Sequence, residues 1–356
     1  MLIDYLPIMR NFFTTILILS QLCVVAQHTG NGSSVKIRPE IERLVNGIGK
    51  DNIVKSSGVG IAGTRTEQWN RYDSLSQNAT TVELIALTDH KNGVVRCYAF
   101  QALLKRPDAD YYAILLHHLN DTASVETFQG CIGSSSMVGD YFLDVVSPSM
   151  WIMGTDTTIY NSEGEFTLSH QQQIEIDSIL IFDKEIFLAS KYELLHTLQP
   201  NEKYYGRVRE IAIEENSPVA TLALSRFKKP ADIGIIELLF KKEKTEYYAA
   251  YCAREFPDDS FYPLLVKMFK REWSYKLYDY PKWRILFQAL ARYPKEQTYQ
   301  LFKQTTDCKD DFRHQTLGTY LMMAITKYPD KLFDPLKSKI KLDKSHQIEM
   351  EQDLED

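Results

Sequence analysis

Gly58-Val59-Gly60-Ile61-Ala62-Gly63 has the spacing G-x-G-x-x-G, with which a loop between strand and helix can turn backbone amides toward a pyrophosphate. That chemistry needs a strand before the glycines, and only Ile53-Val54 reads as one, so the stretch is expected to be a flexible turn between helices. Asp89, His90, His117 and His118 carry side chains that bind transition metals. Adjacent histidines on a helix point about 100° apart, unlike an i, i+4 pair, so one is expected to pack and the other to face solvent. Ser134-Ser135-Ser136, after Gly130-Cys131-Ile132-Gly133, offers hydroxyl and thiol nucleophiles. No base or oxyanion donor stands at a spacing that would activate them, and a helix-initiating turn with serine capping the amides is expected instead. No catalytic, cofactor-binding or metal-binding set is assigned on these grounds.

Residues 270–284 form the most unusual stretch, because aromatic and basic side chains alternate there. Trp273, Tyr275, Tyr278, Tyr280, Trp283 and Arg284 make a candidate binding surface, able to stack on a sugar, a base or a peptide side chain while the cations add hydrogen bonds or cation–π contact. The competing reading is that these rings pack a longer connection against neighbouring helices.

Any such surface must be held by elements, and an internal repeat indicates which. Five segments have a small residue followed five positions later by proline: Ala102 and Pro107, Ser225 and Pro230, Cys252 and Pro257, Ala289 and Pro294, Ala324 and Pro329. The last four prolines are separated by 27, 37 and 35 residues. A helix that stops before proline, a tight turn, and a second helix with proline in its first turn is the expected unit, and the small slot lets two helices approach closely. Ile114, Leu264, Leu301 and Leu336 each lie seven residues after a turn proline, keeping an apolar face in register. Leu286, Ala289, Leu290 and Tyr293 follow i, i+3, i+4, i+7, one helical stripe. Helices of this size bury such a stripe by stacking on neighbours.

Residues 89–103, with Val94, Val95 and Arg96 followed by Ala99, Ala102 and Leu103, then Pro107-Asp108 and residues 114–121 closing on Asp121, resemble one full HEAT-like unit. The likeness is specific there and looser after residue 200. The whole resembles exported bacterial HEAT-repeat proteins of unassigned activity. The resemblance implies an all-α fold, an α-solenoid of stacked antiparallel helix pairs. Expected divisions are a signal peptide at 1–26, an N-terminal linker and helical cap at 27–88, HEAT-like repeats at 89–146, a connecting loop at 147–169, further helical repeats at 170–342, and an acidic flexible tail at 343–356.

The first 26 residues carry Arg10, an apolar run over 12–25 and small Ala26, the pattern of a secretory leader cut before Gln27, with Met9 the better start. Lipid attachment at Cys23 is the rival, opposed by Leu22 where a small residue belongs. The run is short for a membrane span and nothing after it reaches eighteen apolar residues. Export places the chain in the periplasm or outside the cell, where Cys97 and Cys131, about one repeat apart, could pair as a disulfide. A net charge of -6 argues against nucleic acid as partner. The expected function is a non-enzymatic binding or scaffolding role for a protein or peptide partner, with no cofactor. The alternative that the resemblance implies is a HEAT-like enzyme, chromophore-lyase-like or glycosylase-like.

Overall fold

The computed structural model describes residues 35–146, 168–275 and 279–354, so the expected leader at 1–26, almost all of the expected 147–169 connection, and Tyr278 of the candidate surface lie outside the described residues. The chain is mainly α-helical. Helix α1 (Pro39–Asp51) begins with proline in its first turn, buries Ile41, Val45 and Ile48 on one stripe, and ends at Asn52 in the left-handed conformation. Helix α2 (Glu67–Asn78) starts where the Thr66 hydroxyl accepts from the Trp69 amide, and α3 (Thr81–Thr88) opens with a Thr80/Glu83 capping box. Asn92 caps α4 (Gly93–Leu103) and Asp110 caps α5 (Tyr111–His117).

A small three-stranded sheet interrupts the helices, in a chain that is otherwise mostly helical as the expected all-α class requires. Strand β1 (Ile53–Val59) runs parallel to β2 (Ser124–Gly130), with Val54 opposite Thr127, and β2 pairs antiparallel with β3 (Ile132–Met137), Val125 opposite Ser136. The backbone of β1 is tied to α4 as well: the Tyr98 hydroxyl accepts from Lys55 N (2.7 Å) and donates to Lys55 O (3.0 Å). Ser134, Ser135 and Ser136 therefore lie on a strand and not in a helix-initiating turn. Strand β3 passes straight into α6 (Val138–Val146).

Ser169 and Gln172 form a capping box at α7 (His170–Phe182). Helix α8 (Ala189–Thr197) is capped from a distance by Asp140 of α6, which accepts from Ala189 N (3.1 Å), Ser190 N (2.9 Å) and the Ser190 hydroxyl (2.7 Å). Then come α9 (Glu202–Glu214), α10 (Pro218–Ser225), α11 (Ile233–Leu239), α12 (Glu246–Glu255), α13 (Tyr262–Ser274), α14 (Tyr280–Ala291), α15 (Glu296–Thr306), α16 (Asp311–Lys327), α17 (Asp334–Lys337) and α18 (Lys344–Leu354). The even-numbered helices from α2 to α18 pack each on the next, and α3, α9, α11, α13 and α15 flank them. All five small slots, Ala102, Ser225, Cys252, Ala289 and Ala324, lie on even helices and are fully buried. Bulky rings fill the space beside them, Phe287 of α14 meeting Phe302 of the flanking α15 at 5.7 Å between centroids.

The turn prolines act differently from the expected scheme. Each follows the end of an even helix, but only Pro230 opens a helical turn, the 3₁₀ segment Pro230–Asp232. After Pro107, Pro257 and Pro294 the next helix waits for its own start, at Tyr111, Tyr262 and Glu296. Within residues 343–354 of the expected tail, α18 forms and packs on α16, its first turn bonded by the Asp343 carboxylate accepting from His346 N (2.9 Å). Two hydrophobic cores result, one from Ile41 to Leu224 and one from Leu222 to Ile340, and α10 supplies residues to both. No helix among the described residues is long and apolar enough to cross a membrane.

Candidate functional site

The expected aromatic surface does not form as one face. Trp283 is 1% exposed, and its ring meets Phe269 edge-on (5.1 Å between centroids), Trp273 (6.0 Å) and Phe287 (5.3 Å) inside the second core. Two cations of the stretch, Arg271 and Lys282, turn inward toward Glu272 within it and, for Arg271, Glu246 outside it. Glu246 and Glu272 are buried, Arg271 donates to both, and Lys282 Nζ lies 3.5 Å from Glu272. Buried carboxylates require such partners. Tyr275 and Arg284 remain at the surface, while Tyr280 is half-buried at the start of α14.

A different face gathers at the C-terminal ends of the even helices, where unpaired carbonyls concentrate partial negative charge. Arg106, Arg226, Arg254 and Arg292 fall within four of the five segments between small slot and proline, a recurrence that the spacing of slot and proline does not register. Arg106 Nη2 donates to Ser76 O (2.6 Å) and Ala79 O (2.9 Å) at the end of α2, and Arg226 Nη2 donates to His196 O (2.7 Å) at the end of α8. Each guanidinium thus caps the even helix before its own. Arg254 reaches forward, its Nη1 donating to Gln288 Oε1 (2.6 Å) and its Nη2 to Glu255 Oε1 (2.5 Å).

Rings stack on these cations. The Arg254 guanidinium lies 4.0 Å from the Tyr251 centroid, and the Arg292 guanidinium 5.0 Å from that of Tyr328. Tyr251 also meets His196 (5.9 Å) and Tyr247 (6.1 Å) edge-on. Burial pushes the Tyr247 and Tyr328 hydroxyls above the usual phenol range. Burial, with Arg226 and Arg254 nearby, holds the His196 imidazole below its usual value, so it is neutral at pH 7. Arg226, Arg254 and Arg292 are thus the cations at these helix ends, with Glu255 accepting from Arg254, and Arg284 lies near Tyr247 at the start of α12. Half-exposed tyrosines beside guanidinium groups can receive carboxylates and rings together.

The other sequence candidates fall as follows. The glycine stretch does follow a strand and precede a helix, but Val59 and Thr64 bond to each other's backbone (3.0 and 2.8 Å), Gly60 N donates to Gly130 O (2.7 Å), and Thr66 already caps the Trp69 amide. Gly60 and Gly63 have φ of +72° and +59°, which explains glycine there by turn geometry. Cys97 and Cys131 do not pair: Cys97 is buried in α4, Cys131 is exposed at the hairpin tip, and both are free thiols. As expected, one of the adjacent histidines packs and the other faces solvent, His118 being buried and His117 exposed, but their ring tips approach a common point. His117 Nε2 and His118 Nε2 each lie 3.6 Å from Asp89 Oδ1, and His118 Nδ1 lies 3.4 Å from Asp121. His90 stands apart from this group, its Nδ1 accepting from Asn92 N.

Comparison with protein-family models, curated proteins and solved structures gives no match for this chain.

Proposed function

We propose that this protein is an exported, non-enzymatic binding protein, a HEAT-like array of stacked helix pairs that holds an acidic peptide segment of a protein partner. The carrying observation is the group of Arg226, Arg254, Arg292, Tyr251 and Tyr328 toward the C-terminal ends of α10, α12, α14 and α16, with His196 at the end of α8. Arg226, Arg254 and Arg292 beside these tyrosines, on a chain of net charge -6, favour an acidic segment. Tyr247, Tyr251 and Tyr328 supply ring faces for its side chains, at small entropic cost because each has few rotatable bonds. The leader pattern in residues 1–26 supports the export part of the reading, to the periplasm or beyond the cell.

Fluorescence anisotropy with labelled acidic, neutral and basic peptides of alternating Tyr and Glu, Gln or Lys tests the reading. The acidic peptide is expected to bind best, with affinity falling as salt rises. Charge reversal at the exposed Arg284 and Arg292 together is expected to weaken it at least about ten-fold without loss of helical circular dichroism, each lost ion pair counting for about 1 kcal/mol or more. Equal binding of the three peptides, or of parent and variant, sinks the proposal.

A further inference from the structure

We infer that Asp89, His117 and His118 form a binding site for a first-row divalent transition-metal ion of the zinc class. The three side chains come from two helix ends. Asp89 directly follows α3, His117 is the last residue of α5, and His118 is the residue after it. The divergence of about 100° between adjacent helical residues applies to the Cβ directions. An imidazole reaches well beyond its Cβ, so two ring tips can still turn toward a common point. Here they do: the rings stand 5.1 Å apart at 85°, with Asp89 Oδ1 equidistant from both Nε2 atoms. One ligand atom from each of the three residues lies within 4.8 Å of the other two.

His118 gives the independent reason to place a cation there. It is 6% exposed, and its Nε2 is buried with no hydrogen-bond partner among the described residues. Its Nδ1 faces Asp121, whose Oδ1 accepts from Arg96 Nη2 (3.0 Å) and Ala123 N (3.2 Å). Arg96 Nη1 also donates to His90 O (2.7 Å), next to Asp89, so one guanidinium braces both sides of the group. With the ring proton on Nδ1 toward Asp121, Nε2 presents a lone pair to the Asp89 carboxylate. Two acceptors facing each other at 3.6 Å repel, and a buried unpaired nitrogen costs about 1–3 kcal/mol. A metal ion between them converts both costs into bonds, and a carboxylate behind the ligating imidazole is the arrangement that fixes its tautomer and raises its basicity.

The ligand set names the class of ion. Two imidazole nitrogens and one carboxylate oxygen suit zinc and its first-row neighbours, whereas calcium and magnesium prefer oxygen alone. Asp89 and His117 side chains are 65% and 71% exposed, free to close by about an ångström onto the fixed His118 and to leave further coordination positions to water.

Titration of the chelator-stripped protein with Zn²⁺ by calorimetry, and with Co²⁺ by visible absorption, tests the site. One ion per chain is expected, with a Co²⁺ d–d band carrying nitrogen ligation. Asp89→Asn and His117→Ala alter exposed side chains and are expected to keep the parent circular dichroism while weakening binding at least about ten-fold each. His170→Ala, outside the group, is expected to bind as the parent does. Absence of stoichiometric uptake, or equal affinity in the parent and both ligand variants, which would mean binding at other surface histidines only, overturns the assignment.

Discussion

Glu83 shows how much one side chain can settle locally. It sits at the third position of α3, buried, and accepts from Arg38 Nε (3.0 Å), Arg38 Nη2 (2.8 Å), Arg38 N (3.0 Å) and Thr80 N (2.9 Å). The hydrogen bond from Arg38 is the chief cause that brings its carboxyl down to about 2, and Thr80 adds to it against the opposing effect of burial. A carboxyl whose folded value lies below its unfolded one contributes stability that is complete above the unfolded value. That contribution is lost as pH falls toward the folded value. Denaturant titrations are therefore expected to show stability declining from about pH 4.5 to about pH 2, and Glu83→Gln is expected to be less stable at pH 7 and to lose part of that slope. A parent and variant with the same slope in this window would refute the assignment.

At the scale of elements, α6 owes its position to a missing side chain. A Cβ on Gly139 would stand 2.8 Å from the His118 carbonyl oxygen and 2.9 Å from the Leu188 side chain. Alanine is the better helix former by roughly 0.5–1 kcal/mol, but a backbone oxygen cannot move aside, so the clash decides the sign. Gly139→Ala is expected to destabilise by about 1–3 kcal/mol, read from the urea midpoint at unchanged slope. Elements also divide by how legible they were in the sequence. Helices α4, α10, α12, α14 and α16 were legible because slot, proline and apolar stripe all lie within a dozen or so residues of one another. The sheet was not: Ile132-Gly133-Ser134-Ser135-Ser136-Met137 lacks the β-branched alternation of a strand, and what makes it one is pairing to Ser124–Gly130, itself held by a strand far earlier in the chain. The aromatic stretch misled for a similar reason. Whether Trp283 faces in or out was decided by the core around Phe269 and Phe287, while Glu246, a helix away, drew Arg271 inward. Adjacent positions on a helix indicated that one histidine would pack and the other face solvent, but not that the reach of the rings brings both Nε2 atoms to 3.6 Å from Asp89.

For the whole molecule, α10 is where the two cores meet. Ala220, Ala223 and Leu224 belong to the first and Leu222 to the second, all four fully buried. A helix of eight residues shared in this way couples both halves. Leu222→Ala is expected to cost about 2–5 kcal/mol. It is also expected to reduce amide-exchange protection in α8 and α9 as well as in α12 and α13. Loss confined to one side would show that the cores open independently. Beyond equilibrium, the pairing of β1 with β2 sets an order of events. Ser56 and Gly130 touch across 74 residues of chain, while Arg254 and Gln288, typical of the later helices, meet across 34. A polypeptide emerging from its N-terminus must carry residues 53–59 as an open strand edge until residue 130 has appeared, whereas each later helix finds its partner almost as soon as it is made. The N-terminal part is thus the last to close relative to its own synthesis. A chain halted between these points would be left with an edge able to recruit another strand.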